Sequence, residues 1–503
     1  MKKVLSLLLV ISLVLSLSMI GISAEDKGVS VYVTIVDGTG ALVVAGEQVI
    51  AADTDGDGSL TISDVLYTAH ELFYEGGAAE GYGTYVSEYG PGINKLWGDT
   101  CGSYGYYVNN LSAWNLADPV KDGDYVAAFV YTDLKAWSDH YSYFDRAVGD
   151  VYKGEAFTLT YTEAGYDDEW NPVTLPVEGA TVTVNGEATE CKTDAEGKAT
   201  VTLDQCGVYT VSAAKEGRRL VAPVFIATVT VKPADVYVTV ADENGSTAVA
   251  AEKISVVDMD KDEALTINDV LITAHELFYE GGAAEGYGTY VSEYGLGINK
   301  LWGSTCGSYG YYVNNLSAWS LADPVKDGDY VAAFVYTDLK AWSDHYSYFD
   351  RTVDIVYADE AFTLTYTEAG YDGDWNPVTL PVEGATITVD GEATEYKTDA
   401  EGKATVTLTE TGKHIISAAK EGKLLVAPVF IANVRIKPTL LGDADGDGAV
   451  TILDATRIQR RLADLVGDED IDRANADADQ DGLVTIIDAT RIQRFLADLI
   501  TEL

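Results

Sequence analysis

Histidine and sulfur are scarce in this chain, with five histidines, four cysteines and three methionines among 503 residues. So few imidazoles leave little room for histidine-based catalysis. His70-Glu71 has a tyrosine at position 74, which breaks the zinc-protease pair H-E-x-x-H, and Ser138-Asp139-His140 lacks the glycines of a nucleophile elbow. Basic residues are few as well, 33 against 80 acidic ones, so the formal charge is −47. Nucleic acid and anionic lipid are poor partners for such a chain, and its acidity repels itself unless cations sit among the carboxylates. Beyond the first twenty or so residues, no run is long and apolar enough to cross a bilayer.

At the start, Lys2 and Lys3 precede an apolar run from Val4 to Ile20, followed by Gly21, Ser23 and Ala24. This is the pattern of a secretory signal peptide over residues 1–24. The mature chain is expected to be extracellular, with no membrane insertion after cleavage, in a setting that permits disulfides.

The body is a tandem duplication, in which Val31 to Pro233 recurs as Val236 to Pro438. Thr68 to Arg146 matches Thr273 to Arg351 with only three differences: Pro91 to Leu296, Asp99 to Ser304 and Asn115 to Ser320. Each copy reads as two domains, an α+β block (29–150 and 234–355) and a β-sandwich (155–233 and 360–438), and residues 439–503 form a last, all-α module. The α+β block opens with an alternating strand, VYVTIVDGTG, passes an acidic loop, and enters a helix carrying Val65, Leu66, Ala69, Leu72 and Phe73 at helical spacing. Its "GYYVNN" and "DGDYV" segments resemble the transcobalamin C-terminal-like, β-grasp type of domain. Short strands such as KATVTL and VYTVSA, separated by turns, predict the sandwich, and "KTDAEGKATVTL" with "GVYTVSAAKEG" resembles the bacterial immunoglobulin-like or transthyretin-like modules used as spacers.

Cys191 and Cys206 are lost together in the second copy, where Tyr396 and Thr411 replace them. Joint loss implies a disulfide, which would stabilise the sandwich by about 3 kcal/mol. Cys101 and Cys306 have no partner in their own copy and read as packed thiols, with a reactive or inter-repeat bridging role as the alternative.

The chemistry lies in acidic loops. From Asp443 the chain reads DADGDGAVTILDATRIQRRLADL, and from Asp477 DADQDGLVTIIDATRIQRFLADL. Calcium needs six or more oxygens, and alternate loop residues turn inward to supply them while glycine makes the sharp bend. Asp443, Asp445 and Asp447 occupy positions 1, 3 and 5, the Ala449 carbonyl position 7, Thr451 position 9 and Asp454 position 12. Asp477, Asp479, Asp481, Leu483, Thr485 and Asp488 repeat that set. The same spacing places Asp53, Asp55, Asp57, Ser59 and Asp64 around a site in the first repeat, and Asp258, Asp260, Asp262 and Asp269 in the second. In the second repeat Glu263 replaces the glycine at position 6, which predicts weaker binding.

Two such loops, each followed by a helix beginning DATRIQR, resemble the type I dockerin of cellulosomes from Leu441 to about Leu499. The resemblance implies Ca2+ as cofactor and a cohesin on a scaffoldin or surface protein as partner. It assigns partner contact to Ile452, Leu453, Gln459 and Arg460, and to Ile486, Ile487, Gln493 and Arg494. Because the halves are so alike, either could face the cohesin, in two orientations related by a half turn. The stripes Ala455, Ile458, Leu462, Leu465 and Ala489, Ile492, Leu496, Leu499 are the expected module core.

Aromatic residues crowd the near-identical block. Trp97, Trp114 and Trp137, with Trp302, Trp319 and Trp342 in the second copy, are candidates for stacking on a polysaccharide, although most of the rings around them are expected to be core. Eighty acidic residues leave a carboxylate pair for glycoside hydrolysis open, yet each block is small for a glycosidase. The expectation is a non-catalytic protein that docks and binds glycan, with a spacer or adhesin as the alternative.

Overall fold

The computed structural model describes residues 28–503 except 134–138, 168, 170, 339–343, 374, 375 and 427. The signal-peptide segment, Trp137 and Trp342 lie outside the described residues. Two compact units divide between Lys232 and Pro233. Among the described residues no helix is long and apolar enough to cross a membrane.

In the first unit, β1 (Val29–Val36) and β2 (Leu42–Ala51) form a hairpin, and the acidic loop leads into α1 (Ile62–Phe73). After the short α2 (Gly77–Gly81) come a second hairpin, β3 (Gly83–Ser87) with β4 (Gly90–Lys95), then β5 (Tyr104–Val108), β6 (Leu111–Ser112) and β7 (Tyr125–Val130). The strands assemble as β2-β1-β7-β5-β6, with β1 and β7 parallel at the centre. Alternation sends Val31, Val33 and Ile35 of β1 to the face covered by Val65, Leu66 and Ala69 of α1. Leu72 is exposed, so the apolar face of α1 is narrower than its sequence implies.

The other face of this sheet packs against the start of the sandwich. Tyr107 stacks on Tyr141 at 3.7 Å, and Phe129, Val36 and Val221 complete the cluster. Tyr141 gives its hydroxyl to Asn110 at 2.9 Å, so the ring fills apolar space while its polar end stays paired. The two domains of the repeat therefore share a core.

The sandwich begins earlier than expected. The short strands β8 (Ser142–Phe144) and β9 (Val148–Tyr152) pair with β10 (Ala156–Tyr166) and with the last strand of the domain, so the boundary lies before residue 142 and not at 150. One sheet joins β8 and β10 to β11 (Pro172–Pro176) and β14 (Lys198–Thr202). The other runs β13 (Glu187–Lys192), β12 (Thr181–Val184), β15 (Gly207–Ala214), β16 (Phe225–Thr230), β9. Leu159 and Val201 from the first sheet meet Val182, Val211, Phe225 and Ala227 from the second.

No disulfide joins Cys191 and Cys206. β12 lies between the strand that carries Cys191 and the one that Cys206 precedes, which sets the two backbones about two strand spacings, roughly 10 Å, apart. The Cys191 thiol instead lies 3.2 Å from the Thr200 carbonyl. Cys101 is exposed and not packed.

The second unit repeats this course, with α3 (Ile267–Phe278), α4 (Gly282–Gly286) and the five-stranded and sandwich sheets in the same order. It ends in a helical module of α5 (Ile452–Leu462), α6 (Arg473–Ala476) and α7 (Ile486–Leu496). Ala455 and Ile458 face Ala489 and Ile492, and Ala444, Ile471, Ala476 and Ala478 close the core. The expected stripes are cut in half, because Leu462, Leu465, Leu496 and Leu499 are exposed. On α5 and α7 the shared core ends at Ile458 and Ile492, one turn short of the leucines.

His70 is wholly buried on α1. The Trp97 backbone N–H donates to its Nε2 at 3.1 Å, so the ring proton sits on Nδ1 and is donated to the Leu66 carbonyl at 2.6 Å. Burial pushes its pKa from 6.5 down to about 4, and burial lowers His275 of the second copy likewise. With the folded value depressed, the unfolded chain takes the proton first. Stability is fully present above pH 6.5 and is lost as pH falls toward 4. At pH 5 the His70 term has lost about 2 kcal/mol. Denaturant unfolding at pH 7.5 and pH 5 should show a smaller pH effect in His70→Gln with His275→Gln than in the parent; equal pH effects would sink the assignment.

Candidate metal centres and docking surface

Four acidic loops share one hydrogen-bonded skeleton. In the loop before α5, Asp443 accepts from the Gly448 N–H at 2.9 Å, Asp445 from Asp447 at 3.3 Å, and Asp447 from Ala449 at 2.9 Å. Asp454 then accepts from Asp445 at 3.1 Å and Thr451 at 2.7 Å. Asp477, Asp479, Asp481 and Asp488 repeat the pattern before α7, with N–H donors from Gly482, Asp481, Leu483 and Thr485. In the first repeat Asp53, Asp55, Asp57 and Asp64 accept from Gly58, Asp57, Ser59 and Thr61. In the second repeat Asp258, Asp260, Asp262 and Asp269 accept from Glu263, Asp262, Ala264 and Thr266.

Position 12 is the hinge of each loop. Its carboxylate is buried in all four cases, and it is also the third residue of the helix that follows. One oxygen ties down the threonine at the helix N-cap and the other reaches back into the loop, so loop and helix start are one construction. The helix dipole adds a favourable field for the negative charge.

Carboxylate oxygens from three residues lie within 4.8 Å of one another in each loop: Asp53, Asp55 and Asp57; Asp258, Asp260 and Asp262; Asp443, Asp445 and Asp454; Asp477, Asp479 and Asp481. Burial, then the Asp454 and Asp447 charges, raise the pKa of Asp445. Burial does the same for Asp477 and Asp262. Asp53 is held low, chiefly by the Gly58 N–H. One atom tests whether calcium fits: Asp477 Oδ1 is buried and has no hydrogen-bond partner among the described residues. A hard cation taking oxygen ligands from alternate positions suits such an atom and such a donor set.

The turn at position 6 requires a left-handed backbone, with φ of +87° at Gly58, +89° at Gly448 and +95° at Gly482. Glu263 adopts +67° at the same place and Lys261 +62° at position 4, each costing about 1 kcal/mol relative to glycine. Asn268, which the sequence reading passed over, donates to Asp260 at 2.8 Å and so engages one of the loop's own carboxylates. The first copy has Ser63 at this position, and that exchange was the available signal.

Ile452, Leu453, Gln459 and Arg460 share one face of α5 by helical spacing. Ile452 and Leu453 are 54% and 59% exposed, and Ile486 and Ile487 on α7 give the same two figures. None of the four is core, and the two halves offer equivalent faces.

The tryptophans separate. Trp97 and Trp302 are half-buried, wedged against His70 and Tyr74 and against His275 and Tyr279, so they are removed as ligand candidates. Trp114 and Trp319 are 91% and 87% exposed. The Leu116 N–H donates to the Pro91 carbonyl at 3.1 Å, stitching the Trp114 segment to the tip of the β3–β4 hairpin, where Tyr89 is 81% exposed. Asp118 accepts from the Trp114 backbone N–H at 2.7 Å and fixes its position.

Residues 441–497 match the family model for the Dockerin type I domain. No curated protein matches the chain. Among solved structures the chain is similar to the N-terminal eight Ig domains of Down Syndrome Cell Adhesion Molecule isoform 1.30.30. The identity there is 11% and the TM-score 0.15, covering 71% of this chain and only 46% of that one. It is similar to Sidekick-1 immunoglobulin domains 1–4 at 11% identity and TM-score 0.12, covering 71% and 94%. For the D0-D1 domain of Intimin the figures are 14%, 0.11, 58% and 94%. Likeness at that level leaves the β-sandwiches to be read from their own sheets. The duplicated loop, its exit helix and the family match coincide over the same residues, and the chain is a type I dockerin-containing protein.

Proposed function

We propose that this is a secreted, non-catalytic component of a cellulosome-like or other surface assembly. In this reading it attaches to a cohesin through its calcium-organised dockerin, and its repeats present a polysaccharide-binding face. The observation that carries the docking part is the pair of matching faces, Ile452-Leu453-Gln459-Arg460 and Ile486-Ile487-Gln493-Arg494, exposed except for the half-buried Gln493 and each rooted in an acidic loop. Branched apolar pairs at these positions call for a cohesin surface with an apolar patch. The calcium ions would be held by the carboxylates at positions 1, 3, 5 and 12 with the carbonyls of Ala449 and Leu483, and would supply the charge that lets those carboxylates crowd.

The loops at Asp53 and Asp258 share the dockerin skeleton, which supports calcium there too, more weakly at Asp258. The order β2-β1-β7-β5-β6, with a parallel central pair and a helix across one face, supports the β-grasp reading of the repeat. Glycan binding rests on Trp114 with Tyr89 and Trp319 with Tyr294, rings offered to solvent and set by paired backbone groups. Two copies on one chain would add avidity on a polymer.

Asp443→Ala with Asp477→Ala should abolish calcium-induced helicity in circular dichroism and capture by a cohesin panel; full capture in excess chelator would remove the mechanism. Trp114→Ala with Trp319→Ala should cut retention on starch, cellulose, xylan or mucin at least tenfold while leaving the melting temperature unchanged. Failure of the parent to bind any of these polymers would leave the repeats as a spacer.

A further inference from the structure

The second half of the dockerin meets a residue that the first half does not. Arg435, at the end of the last sandwich strand Phe430–Arg435, extends its guanidinium into the loop of Asp477. Its Nη1 donates to the Gln480 main-chain carbonyl and lies 3.4 Å from Asp477 Oδ2. The guanidinium rests over Gly482, where a Cβ would come within 3.0 Å of Nη2. From the same sheet, Tyr357 brings its hydroxyl 3.5 Å from the Gln480 side chain.

Duplication supplies the control. The residue of the first sandwich that corresponds to Arg435 is Thr230, and that sandwich is followed by another repeat. The arginine stands where a dockerin follows. The loops also differ in detail, since Asp443 Oδ1 accepts from the Asp447 N–H at 3.1 Å whereas Asp477 Oδ1 is without a partner among the described residues.

We propose that Arg435 is a counter-cation lent by the sandwich to the second calcium loop, so that the two dockerin sites are inequivalent. Among the described residues, no cationic side chain is hydrogen-bonded to the carboxylates of the first loop. The second takes calcium against a guanidinium that already engages its position-1 carboxylate and its position-4 carbonyl, and filling it loosens the joint between dockerin and sandwich. This rests on the calcium reading of the loops. A divalent ion bound by Asp477 would stand within a few ångströms of the fixed positive charge, and repulsion at that range lowers affinity by about tenfold or more.

The test is calcium calorimetry on the full chain carrying Asp443→Ala, which leaves the second loop as the dockerin's site, with and without Arg435→Thr. Thr is the residue the first sandwich carries at this position, so the strand should keep its fold, as a melting curve would check. Removal of the arginine should tighten one calcium equivalent by about tenfold, and Arg435→Lys should lie between the two. An unchanged isotherm overturns the proposal. Asp477→Ala in the same background should delete that equivalent; if it deletes none, the calcium reading of the loop falls as well, a result distinct from an unchanged affinity.

Discussion

Carboxylates held within 4.8 Å of one another repel, and four times in this chain such a group stands directly before one of the longer helices. The position-12 aspartate makes this arrangement a structural requirement and not an accident of composition. It is buried, it closes the loop, and it caps the helix, so the charge cannot be shed to solvent without loosening the helix start. Backbone N–H groups and the helix dipole absorb part of the repulsion. In the proposed reading a divalent cation would absorb the rest. The starting points of α1, α3, α5 and α7 are thus consequences of one motif used four times.

Outside the loops, tyrosine organises the repeats. Tyr141 and Tyr346 lie under stacked rings of Tyr107 and Tyr312, and their hydroxyls are paired with Asn110 and Asn315. A phenylalanine core could fill the same space but could not bind the loop asparagines. This cluster belongs to the α+β sheet and to the sandwich at once, so each repeat behaves as one body. The exposed Trp114 and Trp319 project from the same α+β sheets that this shared core holds against the sandwiches.

How much of this the sequence disclosed depends on the range of the interaction. The acidic loops and their exit helices were legible because position 1 to position 12 is local and the spacing encodes the chemistry. The start of the sandwich was not, because β8 and β9 are only three and five residues long and the partner of β9 is the last strand of the domain, far along the chain. The cysteine pairing failed for a similar reason, since joint loss records covariation while strand order is set by the whole sheet. The dockerin leucines failed because helical spacing gives the direction of a side chain but not where the surface facing it ends, and the shared core stops at Ile458 and Ile492. Trp97 and Trp114 look alike in sequence; only the burial of His70 separates them.

The duplications also show where position in the chain acts on otherwise equal parts. Gly58 and Glu263 occupy the same turn, yet one is free of strain and the other is not. Ser63 and Asn268 begin the same helix, and only Asn268 engages a loop carboxylate. Thr230 and Arg435 end the same strand, and only Arg435 has an acidic loop beside it. In each pair the fold is kept while the surroundings of an acidic loop change. An internal repeat is under no constraint to keep its acidic loops equal, and two loops of one design can still differ through what lies next to one of them.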